Sequence, residues 1–438
     1  MKKRLLLIAG GLIVSINAFT QINYVFNATV TTLAGSGTKG TANGSGANAS
    51  FSKLGGIVAE PLGDNIYVVD SNCIRKITKN GVVTTFAGSY QSGSTNATGT
   101  NARFNNPQDL AIDMTGNIYV ADEGNYLIRK ITPAGVVTTF AGNGVSGTTD
   151  GQGTNASFDS FNSITRDQNS QYLYVTNSYK IRKIKISDGT VTTIQNITNN
   201  SGNMGGAPYC GWSSKIVADN NGDIYYSDQD QPFIHKISNN IDNVYAGNLM
   251  DWNYVDGNLS DARFQYPQSI VRKNTGLFVS EGGTFGASIR YISSDNKVST
   301  LAGSATQGKA DGNEQTATFT SPSFIGLDSL DNLFVVDATN YIVRKINIGA
   351  IITAIEKNNP SLSFTLFPNP ATDKLYVSGS SKIISCQVID VMGREIININ
   401  GNNQSNNISV ETASFAKGTY YIKILSQEGT SIKSFVKD

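Results

Sequence analysis

The sequence is poor in the residue types on which many catalytic and metal sites depend. It has one histidine, three cysteines and two tryptophans in 438 residues, and only 15% of its residues are charged. The single histidine, His235, excludes a zinc centre with three histidine ligands and a Ser–His–Asp triad that uses any other histidine. No CxxC pair occurs among Cys73, Cys210 and Cys386. The sequence therefore predicts neither a disulfide framework nor a thiolate metal site.

Charge and hydropathy exclude further classes of protein. The 34 Lys and Arg residues nearly balance the 33 Asp and Glu residues, which leaves a net charge of +1. A net charge this small gives no electrostatic reason to expect binding to nucleic acid or to an anionic membrane. Beyond residue 20, no apolar stretch is long enough to cross a bilayer as a helix. Residues 1–20 combine a basic start with an apolar stretch, and we interpret them as a signal peptide that is removed on export.

The sequence does contain a unit of about 54 residues that occurs six times. Arg75 and Arg129, for example, occupy the same place in consecutive copies and lie 54 residues apart. An internal repeat of this period indicates an array of similar structural units. Each copy has a basic residue late in the unit and a polar residue that ends an apolar run. The basic residues are Arg75, Arg129, Arg182, His235, Arg290 and Arg344, and the residues that end the runs are Asp70, Asp122, Asn177, Asp228, Glu281 and Asp337.

Within one copy, the pattern is that of four short β-strands joined by tight turns. The segments are rich in β-branched and aromatic residues, glycine-containing turns separate them, and none has helical periodicity. Four antiparallel strands repeated six times predict an all-β fold, a six-bladed β-propeller over residues 29–350. The strands of the second copy are predicted at 109–113, 117–122, 127–131 and 136–142.

A ring of such units must be closed by one end of the chain. The segment VTTLAG at 30–35 matches VTTFAG at 83–88, the fourth strand of the first copy, and is predicted to complete the last unit. The segment IITAI at 351–355 is a competing candidate for the same place. Closure by the earlier segment would tie the two ends of the repeat region together.

These units resemble NHL repeats. The resemblance is nearly complete from Ala102 to Ile131, which includes GNIYVAD and NYLIRKI, and it extends more loosely over residues 29–350. An alanine two residues before a phenylalanine recurs in the other copies, at Ala49, Ala156, Ala262 and Ala317. The resemblance implies the propeller fold but says little about function, because one fold carries many activities.

A different pattern follows a linker predicted at 351–360, which is polar after Ile355. Alternating apolar and polar residues over 361–438 predict a small β-sandwich. This region resembles the C-terminal sorting domain of the type IX secretion system, and the alternative is an ordinary adhesion-type sandwich. The residues that carry the match include Phe367, Pro368, Asn369, Pro370, Gly393, Gly418, Tyr420 and Lys433. The resemblance implies recognition by an outer-membrane translocon and a secreted or surface protein of a Gram-negative bacterium.

The repeated acids and arginines have two interpretations. They could converge on a cation, but an acid and an arginine that recur in every copy are more simply a structural pair, because a buried arginine needs a partner. Asp-Gly turns recur at Asp150, Asp256 and Asp311, where a metal role is the weaker alternative to a simple turn. The long loops at 142–159 and 303–321 exceed what a connection needs and are predicted to be binding elements.

The fourth copy departs from the others, because it has His235 at the arginine position and the two tryptophans of the chain flank it. This departure predicts the ligand site. Aromatic residues with nearby carboxylates suit stacking on a sugar or a peptide side chain. The alternative is that these aromatic residues fill space that Phe and Pro fill in other copies. The predicted ligand-binding residues are Tyr209, Trp212, Asp228, Asp230, Trp252 and Tyr254.

These observations predict an exported propeller that binds a glycan or a protein, without a cofactor. No catalytic residue is predicted, since His235 lies at a structural position of the repeat. The alternative is a carbohydrate-active or lactone-cleaving enzyme with a carboxylate-bound calcium ion in the channel of the propeller.

Overall fold

The computed structural model is all-β. It describes residues 22–26, 28–61, 63–178, 180–196, 215–219, 221–228, 231–248, 254–273, 276–283, 287–304, 306–348, 351–355, 363–390, 395–401, 405–426 and 429–438. These residues include no α-helix, only five short 3₁₀ turns at Gly46–Asn48, Gly99–Asn101, Glu123–Asn125, Gly153–Asn155 and Ala338–Asn340. Within the same residues, we find no helix with the length and apolar character of a membrane span. The predicted signal peptide lies outside them.

The strands are short and follow one another closely along the chain. The first thirty are β1 Ile22–Phe26, β2 Thr29–Ala34, β3 Gly44–Ser45, β4 Leu54–Ala59, β5 Asn65–Asp70, β6 Cys73–Thr78, β7 Val82–Gly88, β8 Pro107–Ile112, β9 Ile118–Asp122, β10 Leu127–Ile131, β11 Val137–Ala141, β12 Gly151–Gln152, β13 Phe161–Arg166, β14 Tyr172–Asn177, β15 Lys180–Lys185, β16 Thr190–Asn196, β17 Ile216–Ala218, β18 Ile224–Ser227, β19 Phe233–Ser238, β20 Ile241–Gly247, β21 Gly257–Asn258, β22 Pro267–Lys273, β23 Gly276–Glu281, β24 Ala287–Ile292, β25 Lys297–Ser304, β26 Gly312–Asn313, β27 Pro322–Leu327, β28 Asn332–Asp337, β29 Ile342–Asn347 and β30 Ile351–Ile355. The remaining seven are β31 Phe364–Phe367, β32 Lys374–Gly379, β33 Ile383–Asp390, β34 Glu395–Asn400, β35 Asn407–Glu411, β36 Gly418–Ser426 and β37 Gly429–Lys437.

The chain divides into two compact units, of which the larger is Phe26–Gly349. Its described strands form antiparallel sheets with four main strands each, which we number by the copy of the repeat. Sheets 1 to 6 are β4–β7, β8–β11, β13–β16, β17–β20, β22–β25 and β27–β29 with β2. The first strands of neighbouring sheets contact each other in the order β4, β8, β13, β17, β22 and β27, and β27 contacts β4 again. These six inner strands therefore form a closed ring of contacts.

The strand β2 completes sheet 6. Thr29 lies opposite Asn347 and Thr32 lies opposite Arg344 in an antiparallel register with β29. The competing segment, β30, pairs instead with β1. The prediction that the segment at 30–35 supplies the outer strand of the last unit is therefore confirmed.

Apolar residues on both faces of each middle strand hold neighbouring sheets together. In β5, Ile66 and Val68 belong to the core shared with sheet 6, whereas Tyr67 and Val69 belong to the core shared with sheet 2. Alternate residues of a strand point to opposite faces, so a strand covered on both faces is apolar at nearly every position. This is why the strands have near-continuous apolar runs.

Each long loop contains a short strand, which is the fifth strand of a neighbouring sheet. In the loop at 142–159, β12 pairs with β16, and in the loop at 303–321, β26 pairs with β2. The loops predicted to be binding elements are thus partly fixed at the outer edges of sheets 3 and 6.

The smaller unit contains two further antiparallel sheets. One has the order β31–β32–β35 and the other β34–β33–β36–β37. Leu375 and Val377 from the first sheet share one buried core with Val388 and Ile422 from the second. The alternation of apolar and polar residues in these strands follows from burial of one face of each sheet.

Candidate functional site

The repeated arginine and acid form a buried pair in sheet 2. Arg129 Nη1 donates a hydrogen bond to Asp122 Oδ2 at 2.9 Å, and both side chains are fully buried. The guanidinium carbon lies 5.3 Å from the centre of the Phe104 ring. Burial raises the pKa of Asp122, and hydrogen bonds from Asn105, Asn125 and Arg129 oppose this effect. The predicted structural pair is confirmed here.

The same arrangement recurs in the other sheets that carry the arginine. The nitrogen–oxygen distances are 2.7 Å for Arg75–Asp70, 2.7 Å for Arg290–Glu281, 3.9 Å for Arg344–Asp337 and 3.1 Å for Arg182–Asn177. The Asp-Gly turns supply a carboxylate at 2.9 Å for Arg182–Asp150, 2.6 Å for Arg290–Asp256 and 2.8 Å for Arg344–Asp311, which for Arg290 and Arg344 is a second one. The repeated acids of sheets 1, 2, 5 and 6 are therefore engaged within the fold.

The single histidine occupies the arginine position of sheet 4. His235 Nδ1 lies 2.9 Å from Asp242 Oδ1. Its ring stacks on Tyr226 with 4.3 Å between ring centres and an interplanar angle of 9°. These contacts replace the arginine pair of the other sheets and agree with a structural position.

Most of the predicted ligand-binding residues cannot be placed. Tyr209, Trp212, Asp230 and Trp252 lie outside the described residues. Asp228 is buried.

Tyr254, the remaining member of the set, packs against the buried pair of sheet 5. Its ring centre lies 4.6 Å from the guanidinium carbon of Arg290, and its hydroxyl lies 2.7 Å from Thr300 Oγ1. Burial raises the pKa of the Tyr254 hydroxyl. Tyr254 thus has a packing role, and the ligand patch stays a prediction.

The six inner strands line a cavity of about 200 Å³, which we call the central cavity. Its polar side chains differ from copy to copy. The residue before the repeated Ile or Leu of each inner strand is Gly56, Asp109, Ser163, Lys215, Ser269 or Phe324. Positions that vary among otherwise similar copies are where a repeat protein can acquire a specific site.

Lys215 reaches across the central cavity. Its Nζ forms a buried ion pair with Asp109 of sheet 2 and lies 4.4 Å from the centre of the Phe324 ring of sheet 6. Asp109 Oδ2 also accepts hydrogen bonds from Ser163 Oγ at 3.1 Å and from the backbone N–H of Ile164 at 2.8 Å. Burial lowers the pKa of Lys215, and Asp109 opposes this effect.

A glycine makes room for this ion pair. A Cβ atom at Gly56 would lie 2.2 Å from Asp109 Oδ1, so a larger residue there would clash with the carboxylate. Sequence reasoning missed the pair. The signal that could have revealed it is the change of residue type at this one position when the six copies are aligned.

In the part of the chain that the structure describes, no three His, Cys, Asp or Glu side chains come together as a group that could hold a metal ion.

Two family models match the chain. The model of the NHL repeat matches residues 104–131, and the model described as a secretion system C-terminal sorting domain matches residues 365–438. The chain carries an NHL repeat and a type IX sorting domain. The sorting domain indicates export by type IX secretion, and therefore a location outside the cell or at its surface.

The motif residues of the sorting domain lie in several environments. The rings of Phe367 and Tyr376 stack with 5.6 Å between their centres, and both are exposed. Asn369, between Pro368 and Pro370, accepts a hydrogen bond from the backbone N–H of Val436 at 2.9 Å.

Three further motif residues lie near the end of the sorting domain. Gly418 begins β36, and Tyr420, which is buried in the core, donates a hydrogen bond to the carbonyl of Ala416 at 2.8 Å. Lys433 is exposed in β37, and Gly393 lies outside the described residues.

Two curated proteins are similar to this chain over much of its length. NHL repeat-containing protein 2 of Bos taurus is 25% identical over 344 residues, which cover 67% of this chain and 46% of that protein. SUPPRESSOR OF QUENCHING 1, a chloroplastic protein of Arabidopsis thaliana, is 24% identical over 326 residues, which cover 72% of this chain and 26% of that protein. The chain spans less than half the length of these two relatives.

Solved structures share a propeller-like fold with this chain. A protein of unknown function from Bacteroides thetaiotaomicron has a TM-score of 0.60 at 20% identity over 74% of this chain and 76% of that chain. An auxiliary nutrient binding protein from Bacteroides ovatus has a TM-score of 0.55 at 18% identity over 74% of this chain and 77% of that chain. Identities this low show the fold alone.

Proposed function

We propose that this protein is a six-bladed β-propeller that is exported to bind a glycan or a protein ligand. One observation carries the proposal: the repeated arginines are all paired within the fold. The polar and aromatic groups left for a ligand are therefore those that differ between copies. The auxiliary nutrient binding protein gives a precedent for a binding role on a similar fold.

The proposed architecture has four parts. A signal peptide at residues 1–20 and a linker at 351–360, whose first five residues form β30, flank the propeller at 29–350, and a small β-sandwich at 361–438 acts as the sorting domain. The closed ring of inner-strand contacts and the pairing of β2 with β29 support six blades. The core shared by two sheets supports the sandwich. The type IX translocon is the proposed partner of the sorting domain.

We expect the ligand to contact the two tryptophans that flank sheet 4. Trp212→Ala and Trp252→Ala are each predicted to weaken ligand binding roughly 30-fold, which corresponds to about 2 kcal/mol, because a buried tryptophan contact is often a binding hot spot. A glycan array on the mature protein identifies the ligand, and calorimetric titration measures the change in affinity. The melting temperature is expected to stay unchanged.

The control is Tyr376→Ala, which removes an exposed aromatic ring from the smaller unit. It is expected to leave the affinity unchanged, as is treatment with a chelator. If the tryptophan variants instead lower the melting temperature and bind the ligand normally, the aromatic residues fill space and the proposed contact is wrong.

A further inference from the structure

Two exposed aromatic rings lie side by side on one face of the sorting domain. Phe367 of β31 and Tyr376 of β32 are opposite each other in the antiparallel register, and their rings stack with an interplanar angle of 21°. Their exposed fractions are 51% and 44%. Among the described residues of this domain, no other aromatic side chain is exposed. Adjacent exposed apolar side chains mark interaction sites more often than single scattered ones do.

The rest of this face is polar. Ser409 lies opposite Tyr376 on β35, and Lys374 forms an ion pair with Glu411 at 2.7 Å. Two positions away from the rings, a row of polar residues crosses the three strands, namely Thr365, Ser378 and Asn407. The face therefore has an apolar centre with polar surroundings, which is the arrangement of a binding hot spot and its rim in protein interfaces.

The opposite face of the same strands packs into the core of the domain. Leu375 and Val377 precede and follow Tyr376 in β32, and both are fully buried. Successive residues of a strand point to opposite faces, so burial of these neighbours directs the ring of Tyr376 towards water. Replacement of either exposed ring therefore leaves the core of the domain intact.

Phe367 is also one of the motif residues that carry the resemblance to the sorting domain. Other motif residues have a role within the fold: Tyr420 is buried in the core, and Asn369 accepts a hydrogen bond from the backbone N–H of Val436. The ring of Phe367, by contrast, is exposed and stacks on another exposed ring. A contact outside the domain accounts for this ring better than packing of the core does.

We propose that Phe367 and Tyr376 form the surface through which a protein of the type IX translocon recognises the sorting domain. This inference rests on the proposed function, in which the translocon is the partner of this domain. The matched family serves export, and export needs recognition by a protein, which favours a protein over a saccharide as the occupant. The two rings fit an apolar pocket of that protein, and Lys374 and Glu411 give the rim charges of both signs.

Export of full-length variants tests this proposal. The double variant Phe367→Thr/Tyr376→Thr removes both rings and introduces a residue type that strands favour. In a bacterium with a type IX system, we expect about tenfold less of this variant than of the wild type at the surface and in the medium, because loss of aromatic hot-spot contacts weakens recognition by a factor of that order or more. The retained chain should accumulate in the periplasm. Immunoblots of the three fractions measure the distribution.

Two further variants separate loss of the rings from other changes on this face. Tyr376→Phe keeps the ring and should be exported as the wild type is. Lys374→Ala changes the same face of the same strand without removing a ring, and it should also be exported normally. Limited proteolysis of the purified proteins checks the fold, and the sorting domain of the double variant should resist cleavage as that of the wild type does.

Several results would overturn the proposal. It is wrong if the folded double variant is exported normally, or if Lys374→Ala reduces export as much. If the double variant does not fold, Phe367→Thr and Tyr376→Thr take its place singly, and normal export of both contradicts the proposal. Normal export with lost binding to a glycan array would assign this face to a saccharide instead.

The chain that lacks residues 365–438 distinguishes this surface from the proposed function. If that chain is retained in the cell while the double variant is exported, the translocon stays the partner of the sorting domain and only the aromatic surface is refuted. If the truncated chain is itself exported, the proposed partner is wrong as well.

Discussion

Replacing Arg75 with methionine is expected to lower the free energy of unfolding by about 3–5 kcal/mol, because removal of one partner leaves a buried charge uncompensated. Arg75 Nη1 lies 2.7 Å from Asp70 Oδ2, and neither side chain is exposed. The guanidinium also donates to Asn43 Oδ1 at 2.9 Å and to the carbonyl of Ala42 at 3.0 Å. Loss of Arg75 therefore leaves the carboxylate of Asp70 and the loop acceptors of Ala42 and Asn43 without this donor. Urea-induced unfolding followed by circular dichroism measures the change.

The same sheet offers a matched control. Lys79 and Asp64 form an ion pair of the same length, 2.7 Å, but their side chains are 63% and 52% exposed. Lys79→Met is expected to change the free energy of unfolding by less than about 1 kcal/mol, because water screens an exposed pair. The double variant Asp70→Asn/Arg75→Met should regain part of the stability. Equal effects of Arg75→Met and Lys79→Met would contradict the structural role of the repeated pairs.

Removal of residues 365–438 is expected to abolish delivery of the protein to the outside of the cell. The deleted segment is the sorting domain, and it folds around a core of its own. In a bacterium with a type IX system, the truncated chain should accumulate inside the outer membrane. Immunoblots of periplasmic, surface and medium fractions measure its distribution.

Two controls accompany the truncation. Lys374→Ala removes one side of an exposed ion pair with Glu411 and should be exported normally, because the core is untouched. A reporter protein with residues 361–438 at its C-terminus should be exported. Normal surface levels of the truncated chain would show that the sorting domain is dispensable.

Local sequence patterns predicted much of the fold. The segment at 117–122 combines β-branched and aromatic residues, and it corresponds to β9, Ile118–Asp122. The pairing of Asp122 with Arg129 could be predicted because an arginine on a strand with both faces covered must have a partner. The place of β2 could be predicted because its sequence repeats that of β7.

The central cavity could not be predicted in the same way. Asp109 and Lys215 belong to different copies, and their contact depends on how the inner strands are arranged around the cavity, which no local pattern encodes. Arg272 and Asp219, whose Nη2 and Oδ2 atoms form an ion pair at 3.7 Å, likewise belong to different copies. Sites of this kind arise from side chains that are distant in sequence.

An electron-density or cryo-microscopy map of the mature protein tests the central claim most directly. The proposed fold predicts six four-stranded sheets around one axis, with Thr29–Ala34 as the outer strand beside Ile342–Asn347. Five or seven sheets, an open array, or Ile351–Ile355 in the place of Thr29–Ala34 would contradict it.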